Sequence, residues 1–127
     1  MILNLTDISD EPLQSQISRQ VRAKILAGEL GAGDNLPSIR GLARDQRVSV
    51  ITVQRAYEYL EREGLIHSRR GKGFFVSELS DKTKKEMAKT RLLETLQAPL
   101  LAALAEGLSK ADIQQIVQLL LAQSGDN

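Results

Sequence analysis

The amino-acid sequence predicts a mainly α protein with one small β-hairpin, α+β in class, divided into residues 1–77 and residues 78–127. Three observations predict it. Five stretches open on a Ser or Asp suited to helix capping and continue with apolar residues at helical spacing. Two short β-rich runs flank the glycine-containing tip Arg70-Gly71-Lys72-Gly73. From Leu92 to Leu121 there are thirteen large aliphatic residues and no aromatic one, a composition unlike that of the preceding part.

Composition bounds what such a chain can do. It has 42% hydrophobic and 26% charged residues, ordinary for a globular protein. Its 127 residues suffice for one domain, or a small domain plus an appendage. Without cysteine it has no disulfide framework, no thiolate zinc site and no cysteine nucleophile, which suits a reducing cytoplasm. No apolar run approaches the roughly 20 residues of a membrane span. The start, Met1 to Asp7, lacks the basic region of a secretory signal. A cytoplasmic location with no membrane partner is therefore expected. The net charge of +1 is uninformative, but its distribution is not. Between Ser38 and Val76 eight basic residues stand against four acids, and three of those acids, Glu58, Glu61 and Glu63, fall near the end of one predicted helix.

The first helix is expected to open at Asp10-Glu11-Pro12, with Asp10 as cap and Pro12 in the first turn. Leu13, Ile17, Val21 and Ile25 recur every four residues and mark its buried stripe, and Gly28 begins a turn-rich connector to Asn35. Pro37 pushes Leu36 into extended backbone, and Ser38 caps a short helix from Ile39 to about Asp45. Ile39, Leu42 and Ala43 can face inward. Arg40 sits in the first turn, where a cation opposes the helix dipole. Either it bends away into water, or a phosphate lies there and neutralises both. Gly41 either permits close backbone approach or is simply tolerated.

After the turn Gln46-Arg47-Val48, Ser49 caps the central helix, and Val48 and Val53 are spaced as a hydrophobic staple. Val53, Ala56, Tyr57 and Leu60 form its core face, and Gly64 ends it. Ile51, Arg55, Glu58 and Arg62 lie opposite, with Val50 and Gln54 on a flank. Two readings fit Val50 and Ile51. They pack against a neighbour, or they meet base edges beside Gln54, since apolar side chains contact thymine methyls and glutamine pairs with adenine. The two helices and their turn make a helix-turn-helix. The hairpin after Gly64, with Arg69, Arg70 and Lys72 at its tip, is then the wing of a winged helix-turn-helix domain. Gly71 and Gly73 permit positive φ at that tip.

Leu36-Pro37-Ser38-Ile39-Arg40-Gly41-Leu42-Ala43, Val48 through Tyr57, Glu63-Gly64-Leu65-Ile66 and Arg70 through Val76 together resemble the GntR family of bacterial transcription regulators. The resemblance covers roughly Pro12 to Val76. It implies that double-stranded operator DNA is contacted by Arg40, by Ser49, Val50, Ile51, Thr52 and Gln54, and by Arg70, Gly71 and Lys72. The chain departs from the family pattern in three places. Ile39 and Gly41 stand where glutamates are usual, the second of which would complete a capping box. Val50 stands where arginine is common, which removes direct guanine reading from that position.

In the tail, Ser80-Asp81 can cap a helix from Lys82 with a kink at Pro99, Gly107 ends it, and Ser109 caps a last helix to about Gln123. Two helices in about fifty residues resemble the YtrA subfamily, whose tail serves dimerisation and whose members often repress. Leu93, Leu96, Leu100 and Leu104 form one stripe and Ile113, Ile116, Val117 and Leu120 another, able to close an antiparallel pair. Leu92, Leu101, Leu119 and Leu121 lie off the stripes and need a second surface. A homodimer through these helices is expected, because so small a hairpin rarely supports a core alone.

Catalytic chemistry finds little to work with. There is one histidine, His67, in a predicted strand, and no phosphate-cradling loop or metal-ligand spacing, so no enzyme activity and no cofactor is expected. The alternative from another class is a winged helix used for protein contact or for non-specific architectural DNA binding. The sequence assigns no small-molecule effector.

Overall fold

Local capping lays out most of the chain. The computed structural model describes residues 1–125, so the last two positions of the expected 78–127 region lie outside it. Its elements run α1 (Leu13–Leu26), α2 (Ile39–Gln46), α3 (Val50–Arg62), β1 (Ile66–Arg69), β2 (Gly73–Val76), α4 (Asp81–Ala105) and α5 (Lys110–Gln123). The hydroxyls of Ser38 and Ser49 accept from the amides of Gly41 and Thr52, closing the first turns of α2 and α3. Ser109 and Asp112 complete a reciprocal capping box at α5, and the Ser109 amide holds the Asp112 carboxyl below its usual range.

The start of α1 differs from expectation. Its cap is Pro12, with no side-chain hydrogen bond, and Asp10 lies outside the helix. The buried Gln16 takes over instead. Its Nε2 donates to the carbonyls of Thr6 and Glu11, and its Oε1 accepts from the Thr6 amide, so the N-terminal segment is tied over the first turn. A long-range amide satisfies the backbone there and leaves Asp10 no helical task.

The chain forms two compact units, Met1–Lys85 and Glu86–Asn127. In the first, α1, α2 and β1 all pack on α3. Ile17, Val21, Ile25, Leu42, Val53, Ala56, Tyr57, Leu60, Leu65, Ile66 and Val76 are buried there. Arg22 of α1 is buried too, and its guanidinium grips Glu63 bidentately through Nε and Nη2. Glu61 accepts from the amide and hydroxyl of Ser68, joining α3 to β1. Gly64, at φ 80°, ends α3 as anticipated.

β1 and β2 pair antiparallel with Ile66 opposite Val76 and Arg69 opposite Gly73. The connector before α2 proves more ordered than its turn-rich composition suggested. Asn35 bridges to Phe75, the Leu36 amide donates to the Phe74 carbonyl at 2.9 Å, and Val76 donates to Asp34. A short third edge thus lines the hairpin. Its sequence signal is the extended Leu36 ahead of Pro37.

The tail also departs from expectation. α4 begins at Asp81, capped by the Ser80 hydroxyl as expected, and continues through Pro99; the departure lies in how it meets α5. Within the second unit, α5 does not pack back along α4. Leu93, Leu96, Leu100 and Leu104 on one helix and Ile116, Val117 and Leu120 on the other are all exposed, and Ile113 is half-buried. The antiparallel closure of the two stripes is therefore corrected. Leu92, Leu93, Leu96, Leu100, Leu101 and Leu104 spread over a broad face of α4, wider than one packed stripe.

Tyr57 is the fully buried junction of the first unit. Its hydroxyl donates to the Pro37 carbonyl at 2.8 Å, and its ring meets Phe74 edge-on at 5.1 Å. Burial pushes the phenol well above its ordinary value of 10.0. The folded state therefore holds this proton more tightly than the unfolded chain does. That stabilisation is complete below the unfolded value and is lost as pH rises above it. Tyr57→Phe is expected to lower stability at neutral pH by about 1 kcal/mol, for one lost hydrogen bond. It should also move alkaline unfolding to higher pH, as read by urea titration and tyrosinate absorbance.

Candidate nucleic-acid interface

The turn between α2 and α3 is built around a non-glycine residue in left-handed backbone. Arg47 has φ 56°, its amide donates to Arg44, and the Val48 amide donates to Ala43. This is a Schellman closure, usually made by glycine. It leaves the Arg47 guanidinium exposed, without a hydrogen-bond or ion-pair partner among the described residues. The sequence places Arg47 in the turn between the two helices and assigns it no role in contacting DNA. What singles it out is its backbone conformation, which the sequence does not display.

Around α3 the core face is as expected, with Val53, Ala56, Tyr57 and Leu60 buried. Val50 and Ile51 are not buried: they are 42% and 48% exposed, so neither belongs to the core of the unit. Gln54, half-buried, donates from Nε2 to Glu58 Oε1 at 3.1 Å. Ser49 and Thr52 are occupied with the helix start: the Ser49 hydroxyl receives the Thr52 amide, and the two hydroxyls lie 2.7 Å apart. The outward flank at the N-terminal end of α3 is thus two exposed aliphatic side chains, one amide and Arg55, which is exposed and without a partner among the described residues.

Arg40 is exposed in the first turn of α2, which contains no acid. Gly41 beside it answers to its own cap, since a Cβ there would come within 2.8 Å of the Ser38 hydroxyl. At the wing, Arg70, Gly71 and Lys72 form the exposed connection between the strands, with Gly71 at φ 74° and the Lys72 amide donating to Arg69 at 2.9 Å. Arg69 is drawn aside, its guanidinium 4.6 Å from the centre of the Phe75 ring. Arg70 and Lys72 remain exposed at the tip, without a partner among the described residues. His67 stacks near Phe75 and faces Ser77, a packing position. Among the described residues no cluster of His, Cys, Asp or Glu could hold a metal ion.

Residues 13–76 match the family described as bacterial regulatory proteins, gntR family. The chain is 39% identical over 89 residues to the HTH-type transcriptional repressor YtrA of Bacillus subtilis (strain 168), covering 70% of this chain and 68% of that one. A GntR family transcriptional regulator from Listeria monocytogenes superposes with a TM-score of 0.70 at 30% identity, covering 90% of this chain and 97% of that one. The structure of AraR(DBD) in complex with operator ORX1 superposes with a TM-score of 0.52 at 26% identity, covering 59% of this chain and 93% of that one.

Two substitutions check the construction of the helix pair. Ser49→Ala should cost about 1 kcal/mol by leaving the start of α3 uncapped. Arg47→Gly should leave stability unchanged or raise it by up to about 1 kcal/mol, because glycine occupies left-handed backbone without steric cost. Urea unfolding of both variants reads the difference.

Proposed function

The chain belongs to the gntR family of bacterial regulatory proteins and is a DNA-binding transcription regulator, not an enzyme, and we propose that it acts as a cytoplasmic dimeric repressor on an inverted-repeat operator. The exposure of Val50 and Ile51 at the N-terminal end of α3 carries the operator-reading part of this proposal. A helix start turned to water gains nothing from two β-branched aliphatic residues, whereas in a major groove they pack on thymine methyls beside the Gln54 amide. Arg40 and the wing residues Arg70 and Lys72 supply phosphate contacts, and Gly71 lets the wing backbone come close. Ser49 and Thr52 act chiefly by holding the helix start that presents the others. No helix among the described residues is long and apolar enough to cross a membrane.

In this proposal residues 1–77 address DNA and residues 78–127 pair two copies. The exposed aliphatic tail supports the second half. Leu93 and Leu101 are 73% and 60% exposed, Leu92 is exposed as well, and Leu93, Leu96 and Leu100 border an open groove of about 400 Å³. Isolated exposed leucines need no explanation, but a run of them on two helices marks an interaction surface. A second copy of the same tail offers matching aliphatic surface, and a two-fold pair is the common solution. Two winged domains then address half-sites about one or two helical turns of DNA apart. Repression follows the relative named as a transcriptional repressor.

Gln54→Ala is expected to relax base preference at one position of each half-site and to cost about 1–3 kcal/mol on the best operator. Arg70→Ala, Lys72→Ala and Arg40→Ala should instead weaken all sequences evenly and flatten the salt dependence. Equal loss on every sequence for Gln54→Ala would return the protein to the architectural reading.

Removal of the tail after Lys85 should yield a monomer by sedimentation, with only half-site affinity. Leu100→Glu in the full chain should have the same effect. A truncated chain that stays dimeric on an intact operator would end the tail's role in pairing.

A further inference from the structure

Two acids, Glu58 and Glu61, lie along the second half of α3 and a third, Glu63, caps its end, and two of the three hold the fold. Glu63 sits in the fork of Arg22, and Glu61 receives the amide and hydroxyl of Ser68. Glu58 does neither. It is exposed one turn beyond Gln54, and its Oε1 accepts from Gln54 Nε2 at 3.1 Å. A carboxylate on a DNA-facing helix repels phosphate and lowers affinity for every sequence. We propose that Glu58 is a positioning residue that sets base specificity, by holding the Gln54 amide in the one orientation that suits adenine.

This rests on the reading of Gln54 as a base-contacting residue, and the chemistry of the amide carries it further. A primary amide has an acceptor end and a donor end, and half a turn of its terminal torsion exchanges them. A free glutamine can therefore present either end to the groove. Adenine offers a donor beside an acceptor and needs both ends together. Guanine offers two acceptors, and cytosine a donor. Glu58, ionised, only accepts, so it binds Nε2 and repels Oε1. One Nε2 hydrogen is then committed to Glu58. The second, with the free Oε1, forms the donor–acceptor pair complementary to adenine. One hydrogen cannot serve both guanine acceptors, and the nearby negative charge disfavours that acceptor-rich edge. Neighbouring side chains add weight to this orientation. Val50 and Ile51 form no hydrogen bonds, and the hydroxyls of Ser49 and Thr52 are turned to each other.

The experiment is selection of bound duplexes from a random pool by the full-length protein. Wild type, Gln54→Ala, Glu58→Ala, Glu58→Gln and the Gln54→Ala/Glu58→Ala double variant are compared. Gln54→Ala should erase an adenine preference at one position of each half-site. Glu58→Ala should admit guanine and cytosine at that same position, reducing the preference for adenine about three- to tenfold, within the range of one bidentate contact. Glu58→Gln keeps the side-chain size but accepts either amide orientation, so it should broaden the same position without disturbing the helix. The double variant should be no broader than Gln54→Ala alone. A Glu58→Ala profile identical to wild type, while Gln54→Ala changes it, overturns the positioning role. So does a change at a different base position, which would make Glu58 a direct reader of cytosine. Uniformly tighter binding with an unchanged profile reduces Glu58 to phosphate repulsion and also overturns it. If Gln54→Ala itself leaves the profile intact, the base-reading role of Gln54 fails and the positioning role falls with it.

Discussion

Tyr57 is the constraint on which the winged unit depends. It projects from α3 into the core, bonds to the carbonyl just ahead of α2, and meets Phe74 on β2. One side chain thus joins both helices of the DNA-binding pair and the wing. Its placement follows from the core stripe of α3, which fixes the rotation of the helix about its axis. With Val53, Ala56, Tyr57 and Leu60 turned inward, Ile51 lies opposite the core, whereas Val50 borders the buried stripe and is exposed because no neighbour covers the first turn of α3.

That rotation is locked at both ends. At the start, Ser49 caps the helix and the Schellman turn at Arg47 sets where it begins. At the end, Glu61 and Glu63 bond to β1 and α1, and Gly64 turns the chain away. In the proposed role, a helix held this firmly would lose little conformational freedom on meeting DNA, which leaves its contact energy for discrimination. The same scaffold explains why one acid can be given over to tuning Gln54 in the proposed arrangement. The other two already satisfy the structural needs of that half of the helix.

The tail obeys a different physics. In the first unit every large apolar stripe has a neighbour in the same chain. In the second, the broad aliphatic faces of α4 and α5 are exposed without one. Apolar area left in water favours association by roughly 25 cal/mol for each Å² removed from it. That driving force is what gives the proposed second copy its place. In that proposal, pairing also fixes the separation of two winged domains, so the tail would set the spacing of the half-sites.

Much of this was legible in the residues themselves. Ser38, Ser49 and Ser109 mark helix starts, Gly64 marks a stop, and Gly71 and Gly73 mark a tight tip, because these signals act through hydrogen bonds and torsions within a few residues. Stripe spacing likewise told which side of α3 turns inward. What spacing could not tell is what lies against each stripe. Tertiary structure alone decided that Gln16 rather than Asp10 secures the start of α1, since its partners Thr6 and Glu11 reach it through a folded segment. It alone added the edge at Asn35 to the wing, left Val50 and Ile51 bare, and kept the stripes of α4 and α5 apart. Local chemistry is written in neighbouring residues, whereas burial depends on which distant surface arrives to cover them.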